Sequence, residues 1–134
     1  MKSLHILHSE SATGWGGQEI RVFQESNLLL ERGHRVSIVC QPESFMWNKC
    51  QSITSQNFNC YPLPMKSPAN PFSFFRLLRI LKKAKPDVIH THSSIDIWLA
   101  GSVAKFAGIP VVRSRHISIP IKSIFPNNWL YSRI

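Results

Sequence analysis

Short runs rich in isoleucine and valine recur along this chain, each followed by a longer stretch of helical period, and this alternation constrains the fold more than any other feature. A strand that feeds a helix and returns to a parallel strand forms a βαβ unit, and its strands, buried on both faces, read as apolar runs. The strand candidates are Ser3–His8, Arg35–Gln41, Phe58–Pro62, Asp87–Thr91 and Pro110–Arg115. Helices are expected at Gly17–Arg32, Pro71–Ala84 and Ile95–Ala107, with a shorter turn around Ser44–Cys50. Gly33 and Gly108 fall just past helix ends, where a left-handed residue closes the last turn. Right-handed crossovers then give a doubly wound, Rossmann-like parallel sheet of order 3-2-1-4-5 in a three-layer α/β sandwich. Ligands of such sheets bind beyond the carboxyl ends of the strands where the order reverses, between strands one and four. The Ser9–Gly17 loop, the Thr91–Ser94 loop and His116 are expected to gather there.

The 134 residues suffice for one domain and not for two. Residues 1–120 read as that domain, and 121–134, with Phe125, Trp129, Leu130 and Tyr131, read as the start of a connection to a second one or as a final helix packing back on the sheet. Cys40, Cys50 and Cys60 are odd in number and lack C-x-x-C spacing, so neither a disulfide framework nor a zinc ribbon is indicated and a reducing, cytoplasmic setting is expected. There is no apolar run of membrane-spanning length and the first ten residues do not form a signal peptide. The formal net charge of +9 sits in the second half: residues 1–64 balance five bases with five acids, whereas residues 65–134 set eleven bases against Asp87 and Asp96. Such a field attracts nucleic acid, anionic lipid, or phosphorylated and acidic sugars.

Gly14-Trp15-Gly16-Gly17 stands between the first strand and its helix, where backbone N–H groups and the helix macrodipole favour an anion. Glu19 replaces the third glycine of G-x-G-x-x-G, no ribose-binding acid ends the second strand, and G-K-[ST] is missing, which argues against a dinucleotide site and a P-loop. His90-Thr91-His92-Ser93-Ser94 ends strand four. Alternation puts His90 and His92 on one face, but no third ligand at fixed spacing accompanies them, so no metal is expected. His92, Ser93 and Ser94 offer hydrogen-bonding groups to a polar ligand and a cap to the next helix. Arg113-Ser114-Arg115-His116 closes strand five, where an imidazole can meet a substrate hydroxyl. The Phe72–Lys83 segment is amphipathic, with Phe74, Leu77, Leu78 and Leu81 on one side and Arg76, Arg79 and Lys83 on another. It reads first as a crossover helix with a solvated basic face, and second as a contact for a membrane surface.

Four segments in order, Gly14–Glu19, Glu31–Val36, Lys85–Ser93 and Gly108–His116, resemble the amino-terminal domain of glycosyltransferase family 4-like enzymes, with bacterial members that build lipopolysaccharide and surface polysaccharides most similar. The resemblance implies one half of a two-domain GT-B architecture, acceptor on the first domain and nucleotide sugar mainly on the second. It implies retention of anomeric configuration, usually without a metal or other cofactor. It also implies that the glycine loop at Gly16 and Gly17 closes on the donor diphosphate or sugar and that His116 reaches the reacting centre. Gly14 is taken with that loop, and His92, Ser93, Ser94 and Arg115 are the candidates for the acceptor. The donor-domain motif with two glutamates has no counterpart after His116, so the chain alone is expected to be inactive.

The expected partners are thus a nucleotide-sugar donor, a glycolipid or polysaccharide acceptor, and an anionic membrane surface touched from the cytoplasmic side; nucleic acid is not expected. The alternative is a stand-alone binding domain for glycolipid, nucleotide or nucleic acid that uses the same crevice.

Overall fold

The computed structural model of the chain describes residues 2–67 and 69–114. Its strands are β1 His5–Glu10, β2 Arg35–Cys40, β3 Phe58–Pro62, β4 Val88–Thr91 and β5 Val111–Arg113, and its helices are α1 Gly17–Glu31, α2 Phe45–Cys50, α3 Pro71–Ala84 and α4 Ser94–Ala107. All four strand pairings are parallel and the order is β3-β2-β1-β4-β5, as the alternation predicts.

Strand pleating divides the interior into two cores. Leu7, Val39 and Ile89 project to the side where α3 contributes Leu77 and Leu81 and α4 contributes Leu99, Ala100 and Val103. Val36, Ile38 and Cys40 project to the other side, against Val22 of α1 and Met46 and Cys50 of α2. Each fully buried leucine or isoleucine contributes about 1.5–3 kcal/mol relative to exposure, so this partition of side chains fixes which face of each strand meets which helices.

The helix ends follow local chemistry. Asn70 Oδ1 accepts from the Phe72 N–H at 3.0 Å with Pro71 in the first turn, and Ser44 Oγ accepts from the Trp47 N–H at 3.1 Å. Past their C-termini, Gly33 after α1 and Gly108 after α4 take φ of +83° and +72°. α3 closes on Lys85, which adopts φ +49° without being glycine.

The main departure from the sequence reading is β1, which lies two residues later than Ser3–His8. Ser9 and Glu10 look like the start of a polar loop, yet they pair with Val39 and Cys40 of β2 and are fully buried, because a central strand must satisfy its backbone on both sides. In α3 the buried stripe runs through Ser73, Leu77, Ile80, Leu81 and Ala84, with Phe74 and Leu78 packed at its margin. Ile80 therefore belongs to the apolar face read from the sequence.

Candidate active-site rim

The carboxyl ends of β1 and β4 lie side by side, His8 in register with His90 and Ser9 with Thr91. Beyond them, the loop Ser11–Gly16 that leads into α1 and the turn His92–Ser93 that leads into α4 are joined by a hydrogen bond between the Ser11 and Ser93 hydroxyls at 2.8 Å. Two of the three segments expected at the crevice are thus in contact. Arg115 and His116 lie outside the described residues. The strand that leads to them ends beside β4, with Arg113 in register with Thr91 and the Ser114 N–H donating to the Thr91 carbonyl at 3.0 Å.

Ser93 is the hinge of this rim. Its hydroxyl accepts from the Asp96 N–H at 3.3 Å, and Asp96 Oδ2 accepts from the Ser93 N–H at 3.2 Å, a reciprocal cap that starts α4 one residue before Ile95. The same hydroxyl reaches Ser11, so the cap of α4 and the clasp between the loops share one atom.

The glycine loop is held by carboxylates. The Gly16 N–H donates to Glu19 Oε2 at 2.6 Å, and the buried Glu10 accepts from the Ala12 N–H at 3.0 Å and the Gln18 amide at 2.7 Å. One N–H of the anion-favouring helix start is therefore taken by Glu19. A Cβ built on Gly14 or Gly17 meets nothing within 4 Å, whereas one on Gly16 comes to 3.1 Å of the Glu19 carboxylate. None of these glycines has positive φ. Their lack of side chains leaves open space above the loop and is not demanded by the backbone.

Residues not singled out from the sequence complete the site. His8 is fully buried on the sheet face that carries His90, and its Nδ1 lies 3.1 Å from His92 Nε2. The three imidazoles pack together with centroids 4.1–5.3 Å apart, His8 stacked on His92 and His90 tilted against both. The expected absence of a ligand set rested on His90 and His92 alone, and the fold corrects that premise by placing a third imidazole beside them. No spacing rule finds His8, because strand register brings it there across 82 residues of chain to His90. His90 itself touches the Ser114 hydroxyl with Nε2 at 2.7 Å and Glu25 of α1 with Nδ1 at 3.4 Å.

Burial sets the charges. It holds His8 down to a pKa of about 3, reinforced by His90, and so keeps the ring neutral. Burial and the neighbouring Glu10 push Asp96 up to about 7, against hydrogen bonds from Ser11, Ser93 and the His92 backbone. Burial also raises Glu10, offset in part by the Ala12 N–H and Gln18. Asp96, titrating at about 7, is thus placed to hold or release a proton near neutrality, and Glu10 is shifted in the same direction.

The fold alone does not choose a chemistry, since doubly wound sheets serve many. The sequence decides it: the model of Glycosyltransferase Family 4 matches residues 15–134. The chain belongs to glycosyltransferase family 4. Among solved structures it is similar to a glycosyltransferase from Rickettsia africae, with a TM-score of 0.74 and 20% identity over 92% of this chain and 32% of that one. It is also similar to MurG from Acinetobacter baumannii, with a TM-score of 0.70 and 20% identity over 96% of this chain and 39% of that one. The UDP-GlcNAc 2-epimerase of Neisseria meningitidis shares the fold more distantly, with a TM-score of 0.61 and 18% identity over 96% of this chain and 38% of that one. The family 4 chain thus spans 32–39% of the length of these structures. A comparison with curated protein sequences finds no significant match. Among the described residues, no helix is long and apolar enough to cross a membrane.

Proposed function

We propose that this chain is the acceptor-side part of a retaining glycosyltransferase, which moves a sugar from a nucleotide sugar to a lipopolysaccharide or other surface-polysaccharide acceptor, with a second domain supplying most of the donor contacts. The family match carries this reading, and the contact between the two loops at the switch point supports it. Solved structures of the same fold were obtained with nucleotides, LpCGTa with UDP and VinC with dTDP.

In this reading an acceptor hydroxyl attacks the anomeric carbon while the nucleoside diphosphate leaves, and the acceptor proton passes to the departing phosphate. His92, Ser93, Ser94 and Arg115 bind the acceptor, and His116 positions donor or acceptor oxygens. The loop of Gly14, Gly16 and Gly17 lets the diphosphate approach backbone N–H groups, whose partial positive charge stabilises the developing negative charge. The Glu19 carboxylate already holds the Gly16 N–H, so this reading leaves that group out of the diphosphate contact.

A peripheral position on the inner face of the membrane fits α3. Phe72 and Phe75 are 63% and 64% exposed and line one groove with Arg76, Arg79 and Lys82. An apolar ridge set among cations suits an anionic lipid surface.

The test is titration of the 134-residue chain with nucleotide sugars and with acceptor glycolipids, followed by assay of a fusion to a family donor domain. The glycolipid should bind weakly, free nucleotide barely, and sugar transfer should require the fusion. Full transfer by these 134 residues unaided would defeat the half-enzyme reading.

A further inference from the structure

We propose that His8, His90 and His92 form a three-imidazole site for a borderline divalent transition-metal ion, with zinc as the ion that fits best. One nitrogen from each ring can be chosen so that all three lie within 4.8 Å of one another. Two are almost in place: His8 Nδ1 and His92 Nε2 stand 3.1 Å apart, and two nitrogens bound at about 2.0–2.1 Å to a tetrahedral zinc stand about 3.3 Å apart. With one ligand nitrogen from each ring inside 4.8 Å of the others, rotation of the His90 side chain would bring the three onto one ion.

The chemistry of the donors agrees. His8 is fully buried and, among the described residues, its Nε2 has no hydrogen-bond partner, while its Nδ1 faces His92. A cation there replaces one hydrogen bond between two rings by two coordination bonds. His90 has polar partners on both nitrogens, the Glu25 carboxylate and the Ser114 hydroxyl. Whichever nitrogen turns to the metal, the other keeps an outer partner that orients the ring, the second shell that ligating histidines use. Three nitrogens leave a fourth position for water or a substrate oxygen, and Ser93 follows directly on His92 at the rim. Magnesium and calcium, which take oxygen ligands, do not suit this set.

The site goes beyond the glycosyltransferase reading and does not depend on it. Equilibrium dialysis of the chain, made without a histidine tag, is expected to show one zinc per molecule and no competition by excess magnesium. His90→Gln and His92→Gln should each weaken zinc binding at least tenfold, with the far-ultraviolet circular dichroism unchanged, while Cys40→Ser should not alter it. Cobalt in place of zinc should give the intense visible bands of a tetrahedral ion, lost in His92→Gln. Because His8 is wholly buried, the two rim variants carry the test. No zinc uptake at tens of micromolar, uptake indifferent to both histidine variants, or uptake abolished by Cys40→Ser would overturn the proposal.

Discussion

Gly17 and Asp96 show how single residues separate function from folding at this rim. Gly17 begins α1 with ordinary backbone angles and open space where a Cβ would stand, so Gly17→Ala should leave stability unchanged or raise it by up to about 1 kcal/mol. The same change should abolish turnover in a two-domain form if the diphosphate approaches that backbone, and thermal melts beside transfer assays would separate the two effects. Asp96 and His8 pull stability in opposite directions with pH. The folded Asp96 holds its proton up to about pH 7 against an ordinary value of 3.8, so folding loses stability as pH rises through that interval. The folded His8 refuses a proton down to about pH 3 against 6.5, so folding loses stability as pH falls through that interval. Between about pH 4 and 6.5 the two slopes cancel. Asp96→Asn should unmask the histidine, and urea melts should then show stability falling on acidification by about 1 kcal/mol per pH unit below pH 6.5. A variant with the shallow slope of the parent would show that the Asp96 proton is not bound as described.

The elements were legible in proportion to how locally they are encoded. The five strands and the three long helices follow from periodicity and glycine stops, which depend on neighbours in sequence, and the strand order from the crossover rule, while α2 reads only as a short turn. The boundary of β1 was not legible, because Ser9 becomes a strand residue through partners on both sides and Glu10 through Cys40 of β2. The site divides in the same way. Ser93 as the α4 cap was readable from Ser93-x-x-Asp96, whereas His8, Ser11 and Glu25 enter the site through strand register and helix packing that no spacing encodes. Since Ser93 both caps α4 and clasps Ser11, Ser93→Ala should cost about 1–2 kcal/mol of stability, more than Asn70→Ala at the α3 cap, which has no second partner of this kind. Denaturant melts of the two variants check the ranking.

On the scale of the whole molecule, the cleft rim and the exposed face of α3 are distinct surfaces with different partners proposed. Phe72 and Phe75 rise from a groove that also holds Arg76, Arg79 and Lys82, while the Ser11–Ser93 clasp marks the rim at the carboxyl edge of β1 and β4. Co-sedimentation with vesicles containing anionic lipid should fall several-fold for Phe75→Ser combined with Arg79→Glu, and should fall for the parent as salt rises. Binding equal to the parent's would remove α3 as the membrane contact. The acceptor should instead be recognised at the rim, and backbone amide shifts of the isotope-labelled chain during titration with a lipopolysaccharide-type glycolipid read that directly. The proposed function requires the shifted amides to cluster in Ser11–Gly17 and His92–Ser94, with α3 unmoved when the glycolipid is monomeric. Shifts confined to α3, or none at saturating glycolipid, would contradict it.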